Sequence, residues 1–258
     1  MPRFFAAADA VNGDRCRLTG ADAAHLARSL RVRRGERLLV VTGGVTEHGV
    51  EVTGVADDAI DGRVRWSRPA AGETLLRVEV LQAIPRAGMD EAVENLSEVG
   101  AAAIWPIYTE RTVVRPDPRR HHQRASRWRS IAANAAGLAF RAHPPRIHEP
   151  STLAEALAAL PRPLRLLACA FEVPAQPLAD WCPPDPSATL ALAIGPEGGW
   201  AAQDLSQLTA AEAEFVHLGP RVLRARLAGT VALGVLLARA GEWARPYQPP
   251  PVAHCREP

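Results

Sequence analysis

Two glycine- and proline-containing turns in the carboxy-terminal third of the chain have the residue types and spacing of a small-ligand site. Residues 192–199 read LAIGPEGG and residues 218–224 read LGPRVLR, so each apolar run enters a turn and continues into a helix-like pattern. Parallel α/β sheets bring such turns to one edge, where main-chain N–H and C=O groups can bind a ligand. The first turn matches neither a dinucleotide-binding nor a Walker pattern. The pair therefore predicts a cleft for a nucleoside without phosphates; the alternative is a purely structural role.

Main-chain groups of both turns are the predicted ligand contacts. Glycine permits positive φ and lets a ligand approach the backbone closely, while proline presets φ for a tight turn. The residues that we assign to this ligand are Ile194, Gly195, Pro196, Glu197, Gly198, Gly199, Leu218, Gly219 and Leu223.

The amino-terminal part of the chain carries a predicted basic surface. Residues 25–31 read HLARSLR, and on a helix the histidine and both arginines lie on one face, opposite two leucines. Such a face suits contact with nucleic-acid phosphates, and a nearby aromatic ring can stack on a base. The alternative is an ordinary solvated helix face. The residues assigned to this surface are Arg3, Phe4, His25, Arg28 and Arg31.

A second basic stretch follows a predicted strand in the middle of the chain. Residues 108–115 read YTERTVVR, and residues 119–129 contain five further arginines. The stretch begins where a strand is predicted to end, which is the edge at which α/β proteins place their sites. It is interpreted either as part of such a site or as a solvated surface.

The other reactive side chains form no recognisable catalytic or metal-binding pattern. Cys16, Cys169, Cys182 and Cys255 are far apart and form no C-x-x-C pair, so neither a disulfide framework nor a metal site is predicted. Ser97, Ser130 and Cys169 have no local acid or base partner pattern, and no nucleophile system is therefore predicted.

Composition places the chain among globular proteins. Its 258 residues are 47% hydrophobic and 22% charged, and a formal net charge of +2 does not by itself indicate a polyanionic partner. The start, MPRFF, lacks an apolar signal region, and the longest apolar run, residues 227–238, is too short to span a bilayer. We expect a soluble cytoplasmic protein with no membrane partner.

The order of predicted elements indicates two domains. Three short β-like runs over residues 37–41, 49–53 and 60–64, separated by glycine turns within residues 1–70, favour a small β-barrel or meander. Strands, among them residues 164–171 and 189–194, then alternate with helices, among them residues 89–99 and 223–243, over residues 74–246, which is typical of a parallel sheet. The last helix is apolar on nearly all sides around residues 231–237, so we expect it to be central or to form a dimer interface. The proline-rich tail, residues 247–258, is predicted to be disordered.

Five motifs, in order along nearly the whole chain, resemble those of the ribosomal RNA small subunit methyltransferase E family. Residues 2–5 are similar to the family's amino-terminal Pro-Arg-aromatic segment, and residues 25–31 match its His-x-x-Arg-x-Leu-Arg. Residues 109–113 resemble its Ser-Glu-Arg-Ser-Val stretch. Residues 194–199 match its Ile-Gly-Pro-Glu-Gly-Gly, and residues 218–224 its Leu-Gly-x-Arg-Ile/Val-Leu-Arg.

The resemblance implies a fold and an activity. It implies a PUA-like RNA-binding barrel over residues 1–70 and a SPOUT methyltransferase domain over residues 74–246, whose deep trefoil knot lines the cofactor pocket. It further implies a homodimer that uses S-adenosylmethionine to methylate N3 of a uridine in 16S rRNA, with the rRNA or the small ribosomal subunit as partner. Loss of the N3 proton can be assisted by an arginine that stabilises developing negative charge, and the candidates are Arg111, Arg141 and Arg224.

The chain departs from the family pattern at three places. Asn95 stands where the family has lysine, and Leu138 lies in a usually polar Glu-Gln-Ser/Cys-Gly/Asn-Arg stretch of which only the final arginine remains. Ala225, Arg226 and Leu227 replace the usual Thr-Glu-Thr. These departures leave two alternatives to the implied activity: a degenerate paralogue that binds RNA without methylating it, or an enzyme that modifies a different RNA.

Overall fold

Two β-sheets follow each other along the chain in the computed structural model, which describes residues 3–28, 31–113, 117–161, 164–183, 185 and 187–251. The first sheet has six strands in the order β1-β4-β5-β6-β3-β2, with β1 parallel to β4 and the other pairs antiparallel. Its strands are β1 (Arg3–Ala6), β2 (Val11–Asn12), β3 (Arg15–Thr19), β4 (Arg37–Thr42), β5 (Thr46–Val55) and β6 (Ala59–Pro69). The three β-like runs predicted in this region lie within β4, β5 and β6.

Helix α1 (Gly20–Arg28) covers the core of the first sheet with Leu26, which is fully buried together with strand residues such as Val40 and Ile60. The described part of the helix runs to Arg28, and Arg31 has a φ of 51°, in the left-handed region that a helix cannot continue through. The predicted basic face over residues 25–31 is therefore wrong as a single helical face, because Arg31 lies outside the helix.

The second sheet is entirely parallel, in the order β10-β8-β7-β13-β11-β14-β12 with β9 also paired to β8. Its central strands are buried on both faces, which explains why runs such as TLALAI are continuously apolar rather than alternating. The strands are β7 (Arg77–Ala83), β8 (Ala103–Tyr108), β9 (Arg146–Ile147), β10 (Ser151–Thr152), β11 (Arg165–Cys169), β12 (Gln176–Pro177), β13 (Thr189–Ile194) and β14 (Glu214–His217). The α/β fold with a parallel sheet is thus confirmed.

Helices cover both faces of this sheet. Residues of α2 (Met89–Val99), α3 (His121–Leu138) and α6 (Ala225–Arg239) share one apolar core with the sheet, and those of α4 (Leu153–Ala159) and α5 (Ala202–Ala210) share the other. The sequence did not predict α4, which has only seven residues and begins at a Thr152–Glu155 capping box. The last helix begins at Ala225 rather than at the predicted residue 223, because Arg224 has an extended backbone.

The last helix is central on one side and uncovered on another. Leu233, Leu236 and Leu237 are fully buried, whereas Leu227 and Val231 are 44% and 36% exposed. Within one chain, the helix is therefore buried on one side and partly exposed on another, although its sequence is apolar on nearly all sides. None of the helices in the described ranges is long and apolar enough to cross a membrane.

Candidate functional site

Both predicted turns line one cavity of about 230 Å³ at the carboxyl edge of the second sheet. Strand β13 leads into residues 194–200 and β14 into residues 217–223, and β11 lies between the two strands. Of the nine residues assigned to the ligand, the cavity is lined by Ile194, Gly195, Pro196, Glu197, Gly199, Leu218, Gly219 and Leu223. The ninth, Gly198, is exposed and lies outside the lining.

The local sequence explains the shape of each turn. Gly199 has a φ of 70° and donates its N–H to the Pro196 carbonyl oxygen at 2.9 Å, which closes the first turn. Gly219 has a φ of 88° and donates its N–H to His217 Nδ1 at 3.1 Å, which closes the second. Positive φ at both positions favours glycine over any side chain.

A third segment, residues 169–172 at the end of β11, completes the cavity and was not assigned from the sequence. It is tied to the first turn: Trp200 donates its backbone N–H to Glu172 Oε1 at 2.6 Å and its indole N–H to the Cys169 carbonyl oxygen at 2.7 Å. A strand was predicted there, but its place between β13 and β14 depends on strand order, which one sequence does not show.

The cavity combines main-chain groups, apolar side chains and two carboxylates, Glu172 and Glu197. Burial raises the pKa of the Cys169 thiol to about 12, so this group stays protonated and is no thiolate nucleophile. The described residues also hold no cluster of His, Cys, Asp and Glu that could bind a metal ion. The arrangement suits binding and orientation of a ligand rather than covalent catalysis.

Arg111 and Arg224, two of the three arginines predicted to be catalytic, lie next to this cavity. The exposed Arg111 donates from Nη1 to the Gly198 carbonyl oxygen at 2.9 Å, on the outer side of the first turn. The exposed Arg224 lies between Leu223 and Ala225, both of which line the cavity, and caps the amino terminus of α6. Either guanidinium is accessible to a substrate above this edge.

Arg141, the third candidate, is not at the cavity. It is 2% exposed, forms an ion pair with Glu73 at 2.9 Å, and donates to the carbonyl oxygens of Ser97 and Ala101 at 2.8 and 2.9 Å. A buried guanidinium with these partners is not available to a substrate. The structure therefore corrects the catalytic role predicted for Arg141 to a structural one.

Some of the residues predicted to contact RNA are buried in the structure, and others are exposed. Arg3 is 3% exposed, pairs with Glu47 at 2.6 Å and donates to the Ala71 and Phe140 carbonyl oxygens, so burial excludes contact with a phosphate. Phe4 is partly buried and packs against the core of the first sheet. Arg31 is exposed. The side chains of His25 and Arg28 lie outside the described part of the chain.

Among the departures from the family pattern, only Ala225 lines the cavity. Arg226 pairs with Glu91 at 3.3 Å and so joins α6 to α2. Leu227 is partly exposed on α6, Leu138 is 51% exposed at the end of α3, and Asn95 is half-buried on α2. Most of the lost polar groups are therefore not in the wall of this cavity.

Comparisons with known proteins agree with this geometry. Residues 72–237 match the model of a family described as an RNA methyltransferase domain. Ribosomal RNA small subunit methyltransferase E of Synechocystis is 30% identical over 224 residues, covering 86% of this chain and 72% of that protein. The Mycobacterium bovis protein of the same name is 30% identical over 240 residues, covering 87% and 86%.

Two solved structures of methyltransferases are also similar to this chain in fold. Ribosomal RNA small subunit methyltransferase E from Neisseria gonorrhoeae, bound to S-adenosylmethionine, superposes with a TM-score of 0.80 at 27% identity and covers 92% of this chain and 97% of that one. A putative methyltransferase from Legionella pneumophila in complex with the same cofactor gives a TM-score of 0.81 at 26% identity, covering 92% and 96%.

Proposed function

The chain belongs to the ribosomal RNA small subunit methyltransferase E family, and from this we propose that it transfers the methyl group of S-adenosylmethionine to N3 of a uridine in 16S rRNA. The observation that carries the proposal is the single cavity enclosed by residues 169–172, 194–200 and 217–223. Two similar structures contain this cofactor. The partner is the 16S rRNA or the small ribosomal subunit.

The residues of the cavity fit this cofactor. S-adenosylmethionine is a nucleoside derivative without phosphates, and the lining offers backbone groups and apolar side chains rather than a phosphate-binding lysine. The Gly219 position faces open space where a side chain would begin, which leaves room for a ligand against the backbone. When bound, the cofactor supplies an electrophilic methyl group on a cationic sulfur, and the carboxylates of Glu172 and Glu197 give the lining negative charge.

The chain's own residues act mainly by positioning. Methyl transfer needs the attacking nitrogen in line with the methyl group, and a rigid, mutually braced cavity wall holds that geometry. Uridine N3 must also lose its proton. Arg111 or Arg224, both exposed beside the cavity, stabilises the negative charge that develops on the base.

Finer features of the fold belong to the same proposal. The first sheet, within residues 1–70, corresponds to a PUA-like RNA-binding barrel, and residues 74–246 correspond to a SPOUT domain with a trefoil knot around the cofactor. The partly exposed apolar residues Leu227 and Val231 of α6 support a homodimer interface on that helix. Sedimentation of the wild-type protein and of Leu227→Asp tests the dimer: the variant should sediment as a monomer.

The activity is tested with small ribosomal subunits and free 16S rRNA from cells that lack the gene. We expect incorporation of one methyl group per rRNA and its location, by nuclease digestion and mass spectrometry, at uridine N3. Methylation of another atom or of another RNA would contradict the proposed specificity.

Ala225 in the cavity wall favours a second candidate, a paralogue that binds RNA and cofactor without methylating. Calorimetry with S-adenosylmethionine separates the two. Cofactor binding without turnover on either rRNA substrate would favour the paralogue.

A further inference from the structure

A second cavity, of about 450 Å³, lies at the same edge of the sheet, on the other side of the Arg111 loop. We call it the side cavity. It is enclosed by the end of β8, the first turn of α3 and the amino-terminal turns of α4 and α5, and its walls include Tyr108, Thr109, His121, Thr152, Gln203 and Gln207. Neither the predicted cofactor residues nor the predicted RNA-binding residues belong to it.

The walls of the side cavity combine apolar, polar and acidic side chains. Tyr108 Oη is 2.9 Å from His121 Nε2, and burial raises the pKa of this tyrosine to about 12, so the phenol remains neutral. Asp204 is buried, and its two oxygens accept the backbone N–H groups of Ala201 at 3.0 Å and Glu110 at 3.3 Å. The exposed Glu110 adds a second carboxylate, and Leu153 and Ala154 add apolar surface.

This chemistry selects a class of ligand. Hydrogen-bonding groups beside apolar surface, together with the Tyr108–His121 ring pair, suit a planar, uncharged molecule with hydrogen-bonding edges. Two carboxylates in the lining disfavour an anionic ligand. The described lining contains no arginine, so the interior does not suit a phosphate group. A nucleobase meets each of these conditions.

Cationic groups border the side cavity where a nucleic-acid backbone would pass. Arg124 follows His121 by one helical turn on α3, and His121 lines the side cavity. Arg124 and the exposed Arg86 also line the adjoining groove along the same edge. Guanidinium groups in these positions can bind the phosphates on either side of an inserted base.

One chain segment connects the side cavity with the cavity proposed for S-adenosylmethionine, which we call the methyl-donor cavity. The segment that contains Glu110 and Arg111 bonds to Asp204 in the side cavity through its backbone and to Gly198 of the cofactor turn through the Arg111 guanidinium. Enzymes that modify a base take it out of the stack, which leaves its neighbours without a stacking partner.

Resting on the proposed function, we propose that the side cavity binds one unstacked nucleobase of the substrate RNA next to the methylated nucleotide. Insertion of this neighbouring base fixes the position of the RNA along the protein surface, so that the target base reaches the methyl donor. The side cavity is thus a specificity subsite for RNA and takes no part in cofactor binding.

The test fills the side cavity from an exposed position. Ala154 and Ala158 are both exposed on α4, but only Ala154 lines the cavity, so Ala154→Trp is the blocking variant and Ala158→Trp its matched control. For each full-length variant we would measure the Kd for a 16S rRNA fragment, the KM for rRNA in methylation, and the Kd for S-adenosylmethionine. Ala154→Trp should raise the RNA Kd and KM about tenfold, with the cofactor Kd unchanged. Ala158→Trp should behave as wild type.

A second variant removes a contact without adding bulk. Gln203 is exposed, so Gln203→Ala should leave the fold intact and raise the RNA Kd about threefold through loss of one hydrogen bond. If Ala154→Trp fails to fold, this variant decides. RNA affinity equal to wild type in both folded variants, or a loss of cofactor affinity instead, would overturn the proposal.

The RNA Kd does not depend on turnover. An inactive wild-type protein would therefore refute the proposed methylation, while the comparison of Ala154→Trp with Ala158→Trp would still decide the role of the side cavity.

Discussion

Arginines at the carboxyl edge of the second sheet and arginines at the junction of the two sheets are chemically identical, yet their surroundings are opposite. At the edge, Arg111 and Arg224 are exposed, and the Arg111 guanidinium donates to a carbonyl oxygen. At the junction, Arg3 and Arg141 are almost fully buried and each is paired with a glutamate. A guanidinium in the first setting is accessible to a substrate, whereas in the second it holds chain segments together, because it is buried and paired with a carboxylate.

The junction contributes to stability through this pairing. Glu73 accepts from the Arg141 guanidinium and also from the backbone N–H of Ala142 at 2.9 Å, while Arg141 reaches the carbonyl oxygens of Ser97 and Ala101. One ion pair thus ties the inter-sheet linker to α2 and to the end of α3. Within the described ranges, Arg111 has no comparable set of buried partners.

The largest expected effect is on the stability of the junction. Arg141→Ala leaves the Glu73 carboxylate and two carbonyl oxygens without their partner and should lower the free energy of unfolding by about 3 to 5 kcal/mol, measured by urea denaturation. Arg65→Ala is the control: Arg65 pairs with Glu51 at 2.7 Å but is 47% exposed, so its loss should cost less than about 1 kcal/mol. Equal effects of the two changes would break the comparison between buried and exposed arginines.

At the carboxyl edge of the second sheet, removal of an arginine side chain should affect activity and not stability. Arg111→Ala should lower kcat about 100-fold, since a donor to developing negative charge is lost. Its free energy of unfolding should stay within about 0.5 kcal/mol of wild type. The control is Arg77→Ala, an exposed arginine at the start of β7 on the opposite edge of the sheet, which should leave kcat unchanged. A wild-type kcat for Arg111→Ala would remove Arg111 from the catalytic machinery.

A substitution in the wall of the methyl-donor cavity should have a third, smaller effect, on cofactor affinity. Gly199→Ala adds a Cβ at a φ of 70° that collides with Glu172 Oε1, and so disturbs the contact between two of the three lining segments. The Kd for S-adenosylmethionine should rise about tenfold in calorimetry, because displacement of Glu172 changes the shape of the cavity that it lines. A tenfold change corresponds to about 1.4 kcal/mol of binding free energy. Gly241→Ala, at a φ of 78° with open space around the added atom, should carry backbone strain alone and keep the wild-type Kd.

The smallest effect concerns the first sheet. If the exposed Arg31 contacts an RNA phosphate, Arg31→Ala should reduce the slope of log K against log salt by about one unit. Filter binding between low and moderate salt measures it. Arg3→Ala is the informative companion, since a buried Arg3 should change protein stability and leave the salt slope alone. An unchanged slope for Arg31→Ala would remove this residue from the RNA surface.

Much of the second sheet could be predicted because its signals are local. The run over residues 189–194 is a strand of the predicted length, and the 89–99 amphipathic pattern is the helix α2. Eight of the nine predicted ligand residues line one cavity, since each turn follows directly from its own strand. Short α4 was missed because seven residues give too little periodicity.

The errors have a different origin. Arg3 and Arg141 stand in motifs that suggest chemistry, but their partners Glu47 and Glu73 are 44 and 68 residues away, and nothing local indicates that these groups meet. Arg31 was placed on a helix by its spacing alone, whereas its φ of 51° lies outside the helical region.

The amino-acid sequence by itself determined the two turns, their glycines and the strands that lead into them, because φ preferences and apolar runs act over a few neighbouring residues. Only the tertiary structure decided that β11 separates those turns, that residues 169–172 close the cavity, and that some arginines are buried while others face solvent. Strand order and burial are set by contacts between residues far apart in the chain, and no short stretch of sequence contains them.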